Sequence, residues 1–202
     1  MSLLPAMSIT LAHAKQRATR AALRTLISAR HPTLACDSTV IWDIPYKSID
    51  ELEIGVGVRI MPFCEILVTP YSRFSSKRGR LSLGDNAVIA TGVNVRAAGG
   101  EIRIGANSGI GQHSVVVSAN HQVILGEPPF SGPWDESRTG VEVGRNVWVG
   151  ANCVLLPGTR IGDNSLIAAG SVVNTEVPSG EIWGGTPARR LKAVPTRAEL
   201  GS

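Results

Sequence analysis

A six-residue period runs through the middle of the chain and restricts its fold more than any other feature of the sequence. Read in sixes, one position is filled by Leu83, Ile89 and Val95, then Ile104, Ile110 and Val116, then Val143, Val149, Leu155, Ile161, Ile167 and Val173. All twelve are branched aliphatics. The next position is often glycine (Gly84, Gly105, Gly111, Gly144, Gly150, Gly162), and the fifth is usually small (Ala87, Ser108, Ser114, Cys153, Thr159, Ser165, Ser171). A rougher copy precedes them, from Ile54 and Ile60 to Ile66. Six is not a multiple of the 3.6-residue helical turn, so a helix would smear these aliphatics around its circumference. An even period instead keeps them on one face of a strand. The segments IGAN, VGRN, VGAN and IGDN supply Gly and Asn near each corner, residue types that tolerate positive φ. Three strand-and-corner units close a triangular coil, and parallel pairing stacks each coil ~4.8 Å above the last. The expected fold is an all-β solenoid of about five coils, readable from roughly residue 52 to 190.

The period breaks twice. Nine residues separate Val95 from Ile104, which places a small bulge at AAGGEIR. From Ile104 to Val143 the chain runs 39 residues where one 18-residue coil is due, leaving 21 extra, Gln122 to Glu142. One long loop insertion, 122–142, is therefore predicted, and an insertion of this length inside a compact solenoid is more often functional than incidental. His121 immediately precedes it.

Upstream of the repeat, residues 1–35 hold no acid, while Lys15, Arg17, Arg20, Arg24 and Arg30 punctuate a pattern in which Leu11, Ala18, Ala22 and Leu26, with Leu23 and Ile27, recur at helical spacing. This reads as a basic amphipathic N-terminal α-helical segment, packed on the main domain or a neighbouring subunit in preference to a membrane surface. The domain plan is then 1–35, a β-helix domain over 36–190, and a tail over 191–202. No 18-residue apolar run and no apolar signal-peptide core occurs, so neither a membrane span nor secretion is expected. The three cysteines, Cys36, Cys64 and Cys153, are far apart and in no metal-binding spacing, which fits a reducing cytoplasm and no metal. The net charge of +4 points to anionic partners, but no nucleic-acid-binding motif accompanies it.

In its repeat, in IGANSGIGQHSVVVSANH and in the closing VWVGANCVLLPGTRIGDNSLIAAGSVVNTEVPSGEIWGGTPARRLK, the chain resembles the hexapeptide-repeat acetyltransferases, with the maltose, galactoside and polysaccharide O-acetyltransferases nearest. The resemblance implies a left-handed parallel β-helix, a hand that periodicity does not show, and a homotrimer with cofactor grooves between neighbours. It also implies an acetyl-CoA-dependent O-acetyltransferase acting on a hydroxyl of a sugar or glycan precursor, with His121 at the place of the general base. Imidazole, with an ordinary pKa near ~6.5, suits that role at neutral pH. Asn94 in GVNVR is the nearest match to an acceptor-binding or polarising Asn, although the bulge shifts its register. Trp148 and Ala151 match residues bordering the pantetheine and thioester, and Ala169 one whose backbone meets the pantetheine amides. Arg189, Lys192 and, as a third cation, Arg190 match residues that reach the nucleotide phosphates. A solvated basic tail is the alternative reading of those three. Trp183 either stacks on adenine or caps the solenoid.

The residues of the insertion add a reading of their own. Pro128, Pro129 and Pro133 stiffen it, the flat faces of Phe130 and Trp134 suit the C–H faces of a sugar ring, and Asp135 and Glu136 can accept hydroxyl hydrogen bonds. The loop is thus expected to form one wall of the acceptor site, with a trimer-contact arm as the alternative. Other functions on the same pattern are an N-acetyltransferase acting on an amino sugar, a serine or xenobiotic acetyltransferase, and a non-catalytic assembly module. A γ-class carbonic anhydrase would need three zinc-ligating histidines, and only His113 and His121 lie in the repeat.

Overall fold

The structure is a computed structural model that describes residues 18–44, 49–128, 130 and 132–200. The short strands form three faces, and the chain visits them in turn. The first face stacks Ala35–Cys36, Arg59–Ile60, Val88–Ile89, Gly109–Ile110, Trp148–Val149, Leu166–Ile167 and Glu181–Gly185 in parallel, and the antiparallel strand Ala188–Ala193 closes it. The second face stacks Ile41–Asp43, Glu65–Thr69, Asn94–Ala98, Val115–Val117, Val154–Leu155 and Val172–Val173. The third stacks Leu52–Ile54, Arg80–Leu83, Glu101–Ile104, Val141–Val143, Thr159–Ile161 and Glu176–Val177.

The second and third faces have six strands each, so the stack has six full coils, one more than the repeat alone reveals. The additional coil is the one whose inward positions depart from the pattern, with Cys36 opposite Ile60 and with Trp42 buried where later coils use smaller aliphatics such as Ile66 and Val95.

The repeat becomes a set of ladders. On the first face Ile60, Ile89, Ile110, Val149 and Ile167 are successive cross-strand partners, each at most 1% exposed. Burying a side chain of this size contributes about 1.5–3 kcal/mol. Trp183 is the register partner of Ile167 and packs partly buried against the core, so it caps the ladder. At the other end, Leu23 and Ile27 of the helix over 18–30 join the core, and Arg30 pairs with Asp50 at 2.8 Å. The buried stripe is narrower than the sequence pattern: Ala18, Ala22 and Leu26 are exposed, and Leu11 lies outside the described residues.

Corners turn on asparagine. Asn86, Asn107, Asn146 and Asn164 all have φ between 54° and 58°, and their amides bond coil to coil, Asn86 to Asn107 and Asn146 to Asn164, each at 3.1 Å. His113 occupies an equivalent corner, exposed, with φ 58°.

The small fifth position does more than fit. The Ser108 hydroxyl donates to the Gly144 carbonyl at 2.7 Å and accepts from the Val147 N–H at 2.9 Å. Ser114 does the same with Gly150 and Cys153, both at 3.1 Å. These hydroxyls satisfy backbone groups of the next coil where water cannot reach.

Three sequence boundaries shift. Val141 and Glu142 belong to the strand Val141–Val143, so the chain is outside the sheets over 118–140, not over 122–142. The closing strand Ala188–Ala193 runs past residue 190, where the tail was expected to begin. A second excursion, over 70–79, separates Glu65–Thr69 from Arg80–Leu83. Among the described residues no helix is long and apolar enough to cross a membrane.

The Ser114 pairing sets a test. Ser114→Ala keeps the shape of the core but leaves the buried Cys153 N–H without its acceptor, so urea unfolding should show a loss of about 1–3 kcal/mol. An unchanged midpoint would mean that the inward hydroxyls are only small fillers.

Candidate active site

His121 stands where the chain leaves the second face. After the strand Val115–Val117, the buried Ser118 hydroxyl has its one O–H within reach of the Ala98 and Arg96 carbonyls (2.8 and 3.0 Å) and accepts from the Ala98 N–H (2.9 Å), fixing the departure point. The returning loop then pairs with the outgoing chain. Gln122 N–H donates to the Pro133 carbonyl at 3.0 Å and Asp135 N–H to the Asn120 carbonyl at 2.8 Å, which sets His121 opposite Trp134 as an antiparallel bridge.

The excursion over 70–79 supplies the other side. Trp134 N–H donates to the Phe74 carbonyl at 2.8 Å. The Glu136 carboxylate accepts from Ser75 Oγ (2.7 Å), Ser76 N–H (2.6 Å) and Ser76 Oγ (2.9 Å), and these bonds hold its carboxyl below the usual range. The base of this excursion is held by the buried Glu51, which pairs with both Arg78 and Arg80.

Three aromatic rings therefore surround the imidazole. Phe74 lies 5.6 Å from it edge-on, Phe130 5.6 Å at 89° and Trp134 5.8 Å at 85°, while Phe74 and Trp134 stack on each other. Trp134 Nε1 donates to His121 Nε2 at 3.0 Å. In the neutral ring Nε2 is thus the lone-pair nitrogen and Nδ1 carries the proton. Nδ1 is buried without a hydrogen-bond partner. These residues, with Leu67, Thr69, Ser72, Arg96, Ala98, Val117 and Ala119, enclose a cavity of about 450 Å³. That is within the usual size range of small-molecule sites, roughly 300–1,000 Å³.

The other residues singled out in the sequence fall into separate places. Asn94, at the start of the strand Asn94–Ala98, donates to Glu65 Oε2 at 3.0 Å and does not line the His121 cavity; its Oδ1 is buried and unpartnered. Asp135 turns away from that cavity. Its Oδ1 accepts from Ser137 N–H and Oγ (2.9 and 2.6 Å), bonds that hold the carboxyl below the usual range, and it lines a cleft with Asn120, Arg138 and Asn174.

Trp148 projects half-exposed from the first face, its ring against Gly109, where a Cβ would come within 2.9 Å of it. Ala151 and Ala169 stack at the following corner, joined through the Gly170 N–H to the Ala151 carbonyl at 2.8 Å. Coils approach so closely there that a Cβ on Gly150 would lie 2.6 Å from Ala169 N.

On the closing strand, Arg190 pairs with Glu181 at 2.7 Å, and Glu181 also accepts from Trp183 Nε1 at 2.7 Å. Trp183 first and Arg190 second hold the Glu181 carboxyl below its usual range. Arg190 is thus balanced by an acid, whereas Arg189 donates only to the Ala188 carbonyl and Lys192 is exposed. Among the described residues no three His, Cys, Asp or Glu side chains gather to hold a metal ion.

Comparison with known proteins fits this architecture. Residues 140–175 match the family described as bacterial transferase hexapeptide (six repeats). The chain is 30% identical over 117 residues to galactoside O-acetyltransferase of Escherichia coli K-12, covering 58% of this chain and 46% of the relative. It is 31% identical over 144 residues to WbbJ of the same organism, assigned to lipopolysaccharide biosynthesis O-acetyl transfer, covering 68% and 66%. The chain belongs to the bacterial hexapeptide-repeat transferase family.

It spans about half the length of that galactoside enzyme. Among solved structures, a point mutant of AntD, an N-acyltransferase of Bacillus cereus in complex with dTDP-4-amino-4,6-dideoxyglucose and coenzyme A, superposes with a TM-score of 0.66 at 20% identity, over 82% of this chain and 83% of that one. At that identity the likeness speaks for the fold, the left-handed parallel β-helix expected of the family.

For this hexapeptide-repeat chain, sequence reading singled out His121, Trp134 and the bulge at AAGGEIR, but not Phe74, Arg96 or the contact of Gly99 with Trp134. Phe74 had a signal: Ile66 to Leu83 is 17 residues, another broken interval of the repeat. Gly99 explains the bulge. It has φ 63°, and a Cβ there would lie 2.1 Å from Trp134 Cε3, so the indole rests on bare backbone. Gly99→Ala should leave the coils folded but lift the indole. The Trp134 Nε1–H resonance, hydrogen-bonded in the parent, should move toward the free-indole position; an unmoved resonance would show that the seat tolerates a methyl group.

Proposed function

We propose that this chain is an acetyl-CoA-dependent O-acetyltransferase whose acceptor is a hydroxyl of a sugar or glycan precursor, with His121 as general base. The observation that carries this reading is the His121 Nε2 lone pair, held by an indole N–H inside an aromatic cavity on the edge of the solenoid. An acceptor hydroxyl replaces that N–H as the donor to Nε2, so the base needs no new orientation to receive it. Phe74, Phe130 and Trp134 give the cavity an aromatic lining for the C–H groups of a sugar ring. That two relatives are named for O-acetyl transfer supports the same class.

The cosubstrate fits the opposite side of the coil. The corner at Gly150, Ala151 and Ala169 is an edge without side-chain bulk, Trp148 borders it, and Arg189 and Lys192 supply cations for phosphates. Acetyl-CoA, when bound, supplies an activated acyl carbon and a thiolate leaving group. His121 Nε2 takes the proton of the acceptor hydroxyl as its oxygen bonds to that carbon, then returns the proton to the departing thiolate. No Cys or Ser nucleophile accompanies His121 in the cavity except Ser72, so direct transfer is the economical path.

Within one chain His121 stands over the second face and Trp148 over the first. A homotrimer, in which the base of one copy meets the cofactor edge of its neighbour, joins the two halves. The proposed setting is the cytoplasm, where acetyl-CoA is made.

His121→Ala should fold normally and bind CoA, yet lose acetyl transfer by ~100-fold or more in a thiol-release assay screened over sugars, nucleotide sugars, serine and amines. Retained turnover removes His121 from the mechanism, and a preference for amines converts the reading to N-acetylation. Arg189→Ala with Lys192→Ala should weaken CoA more than dephospho-CoA by calorimetry, because the additional phosphate is what those cations reach. Equal losses would return the strand to a solvated tail, and a monomer by light scattering would remove the shared site.

A further inference from the structure

The floor of the His121 cavity is a grid of outward side chains from neighbouring coils. In one row Leu67, Arg96 and Val117 are cross-strand partners, and in the next Thr69 pairs with Ala98, with Ala119 beyond it. Val95 and Ala97 are fully buried, so the alternation of the strand turns Arg96 out onto this floor. Its stem lies between two aliphatic neighbours, which keeps the guanidinium close to the floor. Among the described residues that line the cavity, Arg96 alone carries a permanent charge.

Its partnering is incomplete. The nearest acid is Glu65 at 3.7 Å, whose other oxygen already accepts from Asn94 at 3.0 Å, and the Arg96 side chain is 45% exposed. A guanidinium has five N–H donors, so most of them are left to whatever enters the cavity.

Strong acceptors for a neutral sugar are few. A neutral hexose brings several hydroxyl donors, yet among the described residues that line the cavity none is a carboxylate or amide, and only the Thr69 and Ser72 hydroxyls accept beside His121. The two acids of the neighbouring loop, Asp135 and Glu136, are occupied by Ser137 and by Ser75 and Ser76. An anionic group reverses the match: it brings acceptor oxygens to the one strong donor on the floor, in a planar or forked geometry that guanidinium suits.

We propose that the acceptor is an anionic sugar whose carboxylate or phosphate is held by Arg96 on the cavity floor, while its ring lies against Phe74 and Trp134 and its reacting hydroxyl meets His121 Nε2. This rests on the acetyl-transfer reading for the last contact only; the anion site stands on the cavity itself.

The test is a ligand-observed NMR titration of the full chain, saturated with CoA, using glucose, glucuronate and glucose 1-phosphate. At least one charged probe should bind ~10-fold or more tightly than glucose, the size expected of a hydrogen bond to a charged group. Which of the two does so names the anion. In Arg96→Gln that advantage should fall to near parity, and Arg96→Lys should restore part of it, with a dependence on salt that glucose lacks. Thermal melts check that each variant is folded. Glucose binding as tightly as both charged probes, no binding by any probe, an advantage that survives Arg96→Gln, or a loss of CoA affinity in that variant would each overturn the proposal. Arg96-dependent binding without thiol release from any charged acceptor would keep the anion site and sink the acetyl-transfer reading instead.

Discussion

Parallel hydrogen bonding between coils is the constraint from which the rest of this molecule follows. Each parallel strand is only two to five residues long, too short to be stable alone, and gains its place from its neighbours in the stack. The pairing holds successive coils in one register, so inward aliphatics stack on one another, as from Ile60 through Ile167. Register also orders the outside. An outward residue sits beside the outward residues of its neighbours, which is how Leu67, Arg96 and Val117, far apart in sequence, become one row of a binding floor.

The cavity at His121 is made not by the coils alone but by two departures from them. The excursions over 70–79 and 118–140 leave the second face from adjacent regions and are tied together by Glu136 on Ser75 and Ser76 and by Trp134 on Phe74. Neither loop would enclose His121 alone. The bulge at Gly99 completes the arrangement, because the indole can lie down only where a side chain is absent. Three irregularities at different points of the chain thus converge on one imidazole.

The coils were legible in the sequence because their chemistry repeats. Twelve aliphatics at one phase, with Asn and Gly at the corners, leave few folds open, and the first coil was missed because Cys36 and Trp42 stand at that phase instead of aliphatics. The site was legible in part. His121 drew notice because it stands at the edge of a break in the period and matches the family's histidine, and Trp134 because it is a flat apolar ring inside that insertion. Phe74 and Arg96 did not, since their relation to His121 exists only after stacking has set the register. Asp135 was misjudged for a local reason: an Asp two residues before Ser137 closes its own turn before any ligand reaches it.

The indole on Nε2 also has a physical reason that does not depend on which acceptor is used. An imidazole set among three aromatic rings has few polar partners, and an unmade hydrogen bond at a lone pair turned away from water would cost about 1–3 kcal/mol. Trp134 removes that cost in the resting chain by supplying a donor from the same loop that supplies the wall. A ligand hydroxyl that displaces the indole N–H exchanges one hydrogen bond for another, so the exchange by itself gives little net affinity. In the proposed reaction, affinity must then come from the remaining contacts, the aromatic lining and the Arg96 floor. On that proposal selectivity precedes proton transfer, because Nε2 is covered by a group that the acceptor has to replace.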